Sequence, residues 1–279
     1  MLKLKKKIKK KLLKLFGGKK RHQGLFEKMH ELSLAGMNYG GGDNIAYSGE
    51  ENVIDYLVKH MVGGQKPTVF DIGANAGEYT LRVAKAFDDA AFIYSFEPLK
   101  AAFKALCGNI KGRVNIKVYN FGFGPAGGRV PIYFDRIDST LASLFPRRMD
   151  HLGVDNSRSE EIEVRTLDDF CKENGISRIN LLKIDTEGGE IDVLKGSVTM
   201  LDSGSIDIIQ FEFGGFNIAS RTFFQDFFYL LSPCFKIYRI LKDGFAEVTA
   251  YKEAQEVFLT TNYMAVSKNF LKRGGSDDQ

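Results

Sequence analysis

Asp71, Glu97, Asp185 and Glu212 are carboxylates placed where chemistry would need them, each at or near the end of a short apolar run. The first run continues as Val69-Phe70-Asp71-Ile72-Gly73-Ala74-Asn75-Ala76-Gly77-Glu78-Tyr79-Thr80 and is followed by Tyr94-Ser95-Phe96-Glu97-Pro98. Val69, Phe70 and Ile72 show no clear alternation, as expected of a parallel strand covered on both faces. Gly73 and Gly77 bracket a tight turn into a helix, where a side chain would hold the backbone away from a ligand. Glu97 ends the second strand, so its carboxylate can accept from two vicinal ribose hydroxyls at the strand edge. The pattern describes a nucleotide-type cofactor site.

Two cofactor classes compete for it. A dinucleotide asks for G-x-G-x-x-G, so that a pyrophosphate can rest on the helix N-terminus. Here the middle glycine is absent and Asp71 precedes the turn, where it would repel a pyrophosphate. The same carboxylate suits a ligand bearing an ammonium and a sulfonium, which is S-adenosylmethionine. The expected cofactor contacts are Asp71, Gly73, Ala74, Asn75, Gly77, Tyr79 and Thr80 from the turn and helix, with Glu97 and Pro98 from the second strand end.

A second signature lies in Arg165-Thr166-Leu167-Asp168-Asp169-Phe170 and in Leu181-Leu182-Lys183-Ile184-Asp185-Thr186-Glu187-Gly188-Gly189-Glu190-Ile191-Asp192-Val193-Leu194-Lys195-Gly196. With these motifs the chain resembles the FkbM family of S-adenosylmethionine-dependent methyltransferases, from about Ser48-Gly49-Glu50 to Asn262-Tyr263-Met264-Ala265. The resemblance implies a doubly wound, mostly parallel α/β sheet of seven strands, Rossmann-like, and O-methylation of sugar or natural-product hydroxyls. It also implies that Asn120 or Phe121, at the third strand end, borders the adenine, and that Asp185 lies at the cofactor.

A neutral sugar hydroxyl is a poor nucleophile, so methyl transfer needs a positioned general base or a divalent cation. Asp185 ends the fourth strand and Glu212 the fifth, which in a parallel sheet points both into one crevice. Glu187 and Glu190 follow at a helix start, where the macrodipole favours anions. Asp185, Glu187 and Glu212 together would offer oxygen ligands to Mg²⁺ rather than to Zn²⁺. Residues 129–166 break the strand-helix alternation. Arg129-Val130-Pro131-Ile132-Tyr133-Phe134 and Glu161-Ile162-Glu163-Val164-Arg165 read as a β-pair, an insertion over the crevice. Its loop carries Asp138-Ser139-Thr140-Leu141 and Arg147-Arg148-Met149-Asp150-His151, with His151 a further candidate base.

The elements that position these groups are expected as helix 167–174, strand 180–185, helix 189–201, strand 206–213, helix 220–231, strand 235–241 and a last strand near 262–267. Ser48-Gly49-Glu50-Glu51 reads as a capping box opening a helix through Val53, Ile54, Leu57, Val58 and Met61. Gly40-Gly41-Gly42-Asp43-Asn44 reads as an exposed linker. Phe223, Phe224, Phe227, Phe228 and Leu231 fall at helical spacing and are expected in the core. The expected divisions are a basic arm over 1–21, a helical extension over 22–66, the catalytic domain over 67–270 and a frayed tail over 271–279.

Charge is divided along the chain. Residues 1–21 hold eleven Lys or Arg and no acid, leaving 28 basic against 35 acidic residues, a net of −7, for the rest. Leu2, Leu4, Ile8, Leu12, Leu13, Leu15 and Phe16 share one half of a helical wheel, which suits docking on an anionic membrane surface. The acidic remainder argues against nucleic acid. No run approaches the ~20 apolar residues of a membrane span, and no small-residue cleavage site follows the first apolar block. Cys107, Cys171 and Cys234 are dispersed, so they are expected as buried thiols in a reducing, cytoplasmic setting, not as a disulfide or metal framework. The rival readings are a nicotinamide-dependent oxidoreductase and a membrane-attached scaffold without activity.

Overall fold

The computed structural model describes residues 2–42, 48–61, 66–136, 141–155 and 157–273. Two helices, α1 (Leu2–Phe16) and α2 (Gln23–Gly36), precede the body, and α3 (Glu51–His60) packs onto it through Val53, Ile54 and Leu57. The body alternates β1 (Thr68–Ile72), α4 (Glu78–Ala86), β2 (Phe92–Phe96), α5 (Lys100–Asn109) and β3 (Ile116–Tyr119). After β4 (Gly122–Phe123), β5 (Gly128–Phe134) and β6 (Arg158–Arg165) come α6 (Leu167–Glu173), β7 (Ile179–Ile184), α7 (Glu190–Lys195), α8 (Val198–Asp202) and β8 (Ile206–Phe213). The chain then runs through α9 (Asn217–Ser220), α10 (Phe224–Leu231), β9 (Phe235–Leu241), β10 (Gly244–Glu247), β11 (Thr261–Ser267) and α11 (Lys268–Lys272).

The main sheet runs β10-β9-β11-β8-β7-β1-β2-β3, parallel from β8 to β3 and antiparallel beyond β8. It has eight strands among the described residues, one more than expected, because β10 turns back onto β9. Strand order reverses between β1 and β7, since β1, β2 and β3 run to one side and β7 and β8 to the other. Such a switch point opens a crevice at the carboxyl ends. Two buried clusters cover the faces, one built on Phe70, Phe96, Phe170 and Phe211, the other on Val69, Leu181, Ile208 and Val266.

Arg129 to Phe134 pairs antiparallel with Arg158 to Glu163, so the β insertion forms a second sheet, β4-β6-β5, with its own apolar cluster around Leu99, Ile132 and Ile162. Asp138, Ser139 and Thr140 lie outside the described residues, as do Asp43 and Asn44 of the glycine segment and the chain after Arg273.

Several local expectations are corrected. Ser48 and Glu51 form no capping box: the Ser48 hydroxyl donates to Glu50 (2.9 Å) and accepts from the Glu50 N–H (3.2 Å), while Glu51 pairs with Arg82. The expected helix 189–201 breaks in two at Gly196-Ser197, where the Ser197 hydroxyl donates to the Val193 carbonyl (2.7 Å). Phe223 precedes α10 as its cap residue and stays exposed, whereas Phe224, Phe227, Phe228 and Leu231 are buried. Cys171 is buried, but Cys234 is exposed in the turn before β9; all three thiols are free. The glycine segment is no free linker: the Gly40 and Gly42 N–H groups both donate to the Thr260 carbonyl (3.0 and 3.2 Å).

Candidate active site

Strand register decides which side chains meet. Ile72 stands level with Phe96 on β2 and Ile184 on β7, and Ile184 stands level with Phe211 on β8. One residue on, Glu97, Gly73, Asp185 and Glu212 therefore form a row along the carboxyl edge. Two residues behind them, on the same face of the pleat, Ser95, Asp71, Lys183 and Gln210 form a second row in register. All four of that inner row are buried.

The inner row is a polar floor. Asp71 accepts from the Thr80 hydroxyl (2.6 Å) and lies 3.6 Å from the Lys183 ammonium, which also bonds Asp185 (3.1 Å). Thr80 shares a hydrogen bond with Ser95 (2.7 Å). Gln210 accepts from the Tyr79 hydroxyl (2.8 Å) and donates to Glu50 (2.7 Å). Burial alone would lower the Lys183 ammonium, but Asp185, Asp71 and Glu50 outweigh it and hold the pKa above the usual lysine range. Burial raises Glu50 despite the nearby Lys183.

Above this floor is a cavity of about 970 Å³. Of the residues expected at the site, Gly73, Ala74, Asn75, Tyr79, Glu97 and Pro98 line it, and so do His151, Asp185, Glu187 and Glu212. Asp71, Gly77, Thr80, Asn120 and Phe121 do not. Asp71 and Thr80 are sealed beneath the wall, and Lys183 stands between Asp71 and the cavity edge at Asp185. Gly77 is needed for packing: its φ is +89°, and a Cβ there would lie 2.6 Å from Leu106 Cδ1. Asn120 faces outward and donates to the carbonyls of Glu97 (2.9 Å) and Pro98 (2.8 Å), while Phe121 packs into the aromatic cluster around Phe96 and Phe170. Gly122 and Phe123 take the lining position next to Pro98.

Glu97 is fixed by two backbone donors, Asn75 N–H on Oε2 (2.9 Å) and Leu99 N–H on Oε1 (2.8 Å). Burial pushes its carboxyl up to about 7 against the pull of those two N–H groups. Gly73 has φ +82°, and a Cβ there would stand 1.7 Å from the Asp185 carbonyl oxygen, so the turn passes hard against the end of β7.

The far side of the cavity is acidic. Glu187 and Glu212 are both pushed well above the usual carboxylate range by burial; Glu212 adds to this at Glu187, and Asp185 at both. Glu187 adopts φ +55°, and its Oε2 is buried with no hydrogen-bond partner among the described residues. Glu190 is spent on structure: its carboxylate accepts from Thr186 N–H (2.9 Å), the Thr186 hydroxyl (3.0 Å) and Gly188 N–H (3.0 Å), which folds the turn carrying Glu187. Arg147 lies over the Phe216 ring (4.3 Å) on the cavity wall. Burial lowers its pKa, opposed by Glu187 and Glu212. Among the described residues no three His, Cys, Asp or Glu side chains converge as a metal site, the candidates Asp185, Glu187 and Glu212 included.

Sequence reasoning missed Glu50, Lys183 and Gln210. The signal was present in the strand ends, where Asp71-Ile72-Gly73, Ser95-Phe96-Glu97, Lys183-Ile184-Asp185 and Gln210-Phe211-Glu212 each put a polar residue two before the edge position.

Residues 71–240 match the methyltransferase FkbM domain. The chain belongs to the FkbM methyltransferase family. It is similar to methyltransferase sdnD of Sordaria araneosa, 28% identical over 47% of this chain and 60% of that protein. It is also similar to 2-O-methyltransferase NoeI of Sinorhizobium fredii, 26% identical over 47% of this chain and 57% of that protein. With hexuronic acid methyltransferase AglP of Haloferax volcanii it shares 25% identity over 60% of this chain and 64% of that protein. The chain thus spans about three fifths of the length of the curated relatives it matches. Among solved structures it is similar to methyltransferase FkbM from Methylobacillus flagellatus KT, with TM-score 0.44 and 17% identity, covering 72% of this chain and 44% of that one.

Proposed function

We propose that this family member is an S-adenosylmethionine-dependent O-methyltransferase acting on a sugar hydroxyl of a glycan, glycolipid precursor or glycosylated metabolite, held at the inner face of a membrane by its basic arm. One observation carries the reading: the carboxyl-edge row sets a ribose-type acceptor, Glu97, at one side of Gly73 and two further carboxylates, Asp185 and Glu212, at the other. Two related proteins support the acceptor class by their names, NoeI as a 2-O-methyltransferase and AglP as a hexuronic acid methyltransferase.

The residues fit the cofactor. An ionised carboxylate has about four lone-pair sites. Backbone N–H groups take two of Glu97's, which leaves two for a vicinal diol. Ile72, Phe96, Leu99 and Phe123 supply apolar lining on the same side. S-adenosylmethionine supplies the electrophilic methyl group. Asp185, oriented by Lys183, receives the cofactor's ammonium. Glu212 accepts the acceptor hydroxyl's proton as the methyl group transfers, because a raised pKa lets a carboxylate take that proton. Glu187 and Arg147 hold the acceptor beside it, and His151 meets it at the exposed rim.

Calorimetry with S-adenosylmethionine and, separately, NAD tests the cofactor; binding of NAD alone would refute the reading. Incubation with methyl-labelled cofactor and fractionated glycans should give alkali-stable label on a saccharide, since an ether survives base and an ester does not.

A further inference from the structure

The acceptor's physical state follows from the two helices in front of the body. In α1, Leu12, Leu13, Leu15 and Phe16 stay 40–51% exposed, so the body does not cover them. The second helix, α2, has no buried residue. Leu25, Met29 and Leu32 recur along one side of it and are 57%, 52% and 74% exposed. Its two acids, Glu27 and Glu31, project more than about 120° from the centre of that stripe at 100° per residue. The apolar stripe and the eleven-fold basic stretch before it therefore present grease and positive charge without an intervening acid.

We propose that α1 and the exposed stripe of α2 together dock the chain on an anionic lipid surface, which brings the cavity rim to that surface and makes the acceptor a lipid-borne saccharide. The last clause rests on the methyl-transfer reading above; the docking does not. Charge complementarity selects the occupant. A second copy would bring eleven like charges against eleven, and nucleic acid would satisfy the lysines but leave Leu25, Met29 and Leu32 in water. An anionic bilayer takes both, with the lysine heads at the phosphates and the apolar side chains below them. The remaining chain, net −7, is repelled by the same surface, which fixes the orientation.

The rim lies close behind. Gly40, four residues after the end of α2, lines the cavity, and four residues span at most about 14 Å. Tyr39 clamps this junction: its hydroxyl accepts from Arg239 Nη1 (2.9 Å), whose guanidinium lies 4.6 Å from the ring centre.

The full chain should float with vesicles of phosphatidylcholine and phosphatidylglycerol, not with phosphatidylcholine alone, and high salt should weaken the binding. The triple variant Leu25→Asp, Met29→Asp, Leu32→Asp changes only exposed side chains, so it should keep its melting temperature and cofactor affinity in solution while losing at least tenfold in vesicle partitioning. The wild-type chain should methylate a vesicle-borne saccharide faster than the same saccharide free, and the variant should lose only that advantage. Docking is overturned if the wild type ignores anionic vesicles, if the variant floats as well as the wild type, or if the face instead holds a dimer that the variant breaks. Equal rates on free and vesicle-borne saccharide by a docked enzyme overturn the acceptor clause. Failure to bind S-adenosylmethionine would sink the methyl-transfer reading and leave flotation to judge the docking.

Discussion

Glu97→Gln tests the proposed grip of Glu97 on the cofactor's ribose. In the wild type both carboxylate oxygens accept a backbone N–H and keep one lone pair each for a hydroxyl. Protonation turns one oxygen into a donor and removes one of those acceptances. Because burial raises Glu97 to about 7, cofactor affinity should rise with pH and level off above neutrality, with binding roughly tenfold weaker at pH 6 than at pH 8. The amide of Glu97→Gln cannot ionise, so its profile should be flat. Loss of a hydrogen bond to a charged acceptor, about 1.5–3 kcal/mol, predicts binding weaker by about 10- to 150-fold at pH 8. Stability should move oppositely. A carboxyl whose folded pKa exceeds its unfolded value stabilises most fully below the unfolded value, and that contribution is lost as pH rises through the folded pKa. For a rise from 4.5 to about 7 the loss is about 3 kcal/mol, spread over that interval. Glu97→Gln escapes it, so its stability relative to wild type should improve between pH 5 and pH 8, whatever fixed penalty the amide incurs beside two N–H donors. Calorimetric titration and urea unfolding at both pH values measure the two effects. A flat wild-type binding profile, or wild-type affinity in Glu97→Gln at pH 8, would refute the assignment of Glu97 to the ribose.

Lys183→Met removes the cation shared by Asp71, Asp185 and Glu50, and stripping one partner from a buried ion pair costs about 3–5 kcal/mol. The wild-type lysine stabilises at every pH below its unfolded pKa, so the deficit should deepen as pH rises from 5 to 8 and the orphaned acids must ionise; urea titrations giving a pH-independent deficit would count against the buried network. Glu212→Gln should lower kcat by about 10²- to 10⁴-fold while leaving cofactor affinity unchanged by calorimetry, and wild-type activity should rise with pH as Glu212 ionises; a variant with wild-type turnover removes Glu212 as the base. Gly73→Ala forces a Cβ to within 1.7 Å of the Asp185 carbonyl and adds about 1–2 kcal/mol for the left-handed backbone, so cofactor binding should disappear and the melting temperature fall; unchanged binding would mean the turn does not abut β7.

The edge of the site could be read from the sequence because strand-end residues carry their own signature: an apolar run, then a carboxylate or glycine. Glu97, Asp185 and Glu212 were found that way. The floor could not be found so easily, because Lys183 and Gln210 lie inside runs whose apolar neighbours dominate the pattern, and only lateral strand order reveals that they face Asp71 and Tyr79. Asp71 differs for the same reason: its chemistry suits a cofactor ammonium, yet its place one position behind Ile72 puts it on the inner row, under the wall. The family resemblance places Asn120 at the adenine, but its side chain turns back to hold the Glu97-Pro98 carbonyls. Glu50 was hidden by a local motif, since Ser48 and Glu51 met the spacing of a capping box while the tertiary bond from Gln210 drew Glu50 to the cavity. In each case local propensity lost to a contact made across the sheet. The strand ends, set beside one another, carry the pattern: polar-x-acid at three of them, and acid-x-glycine at β1, is what a parallel sheet needs to lay a charged floor beneath a reactive edge, with Lys183 set among the acids to keep the floor buried.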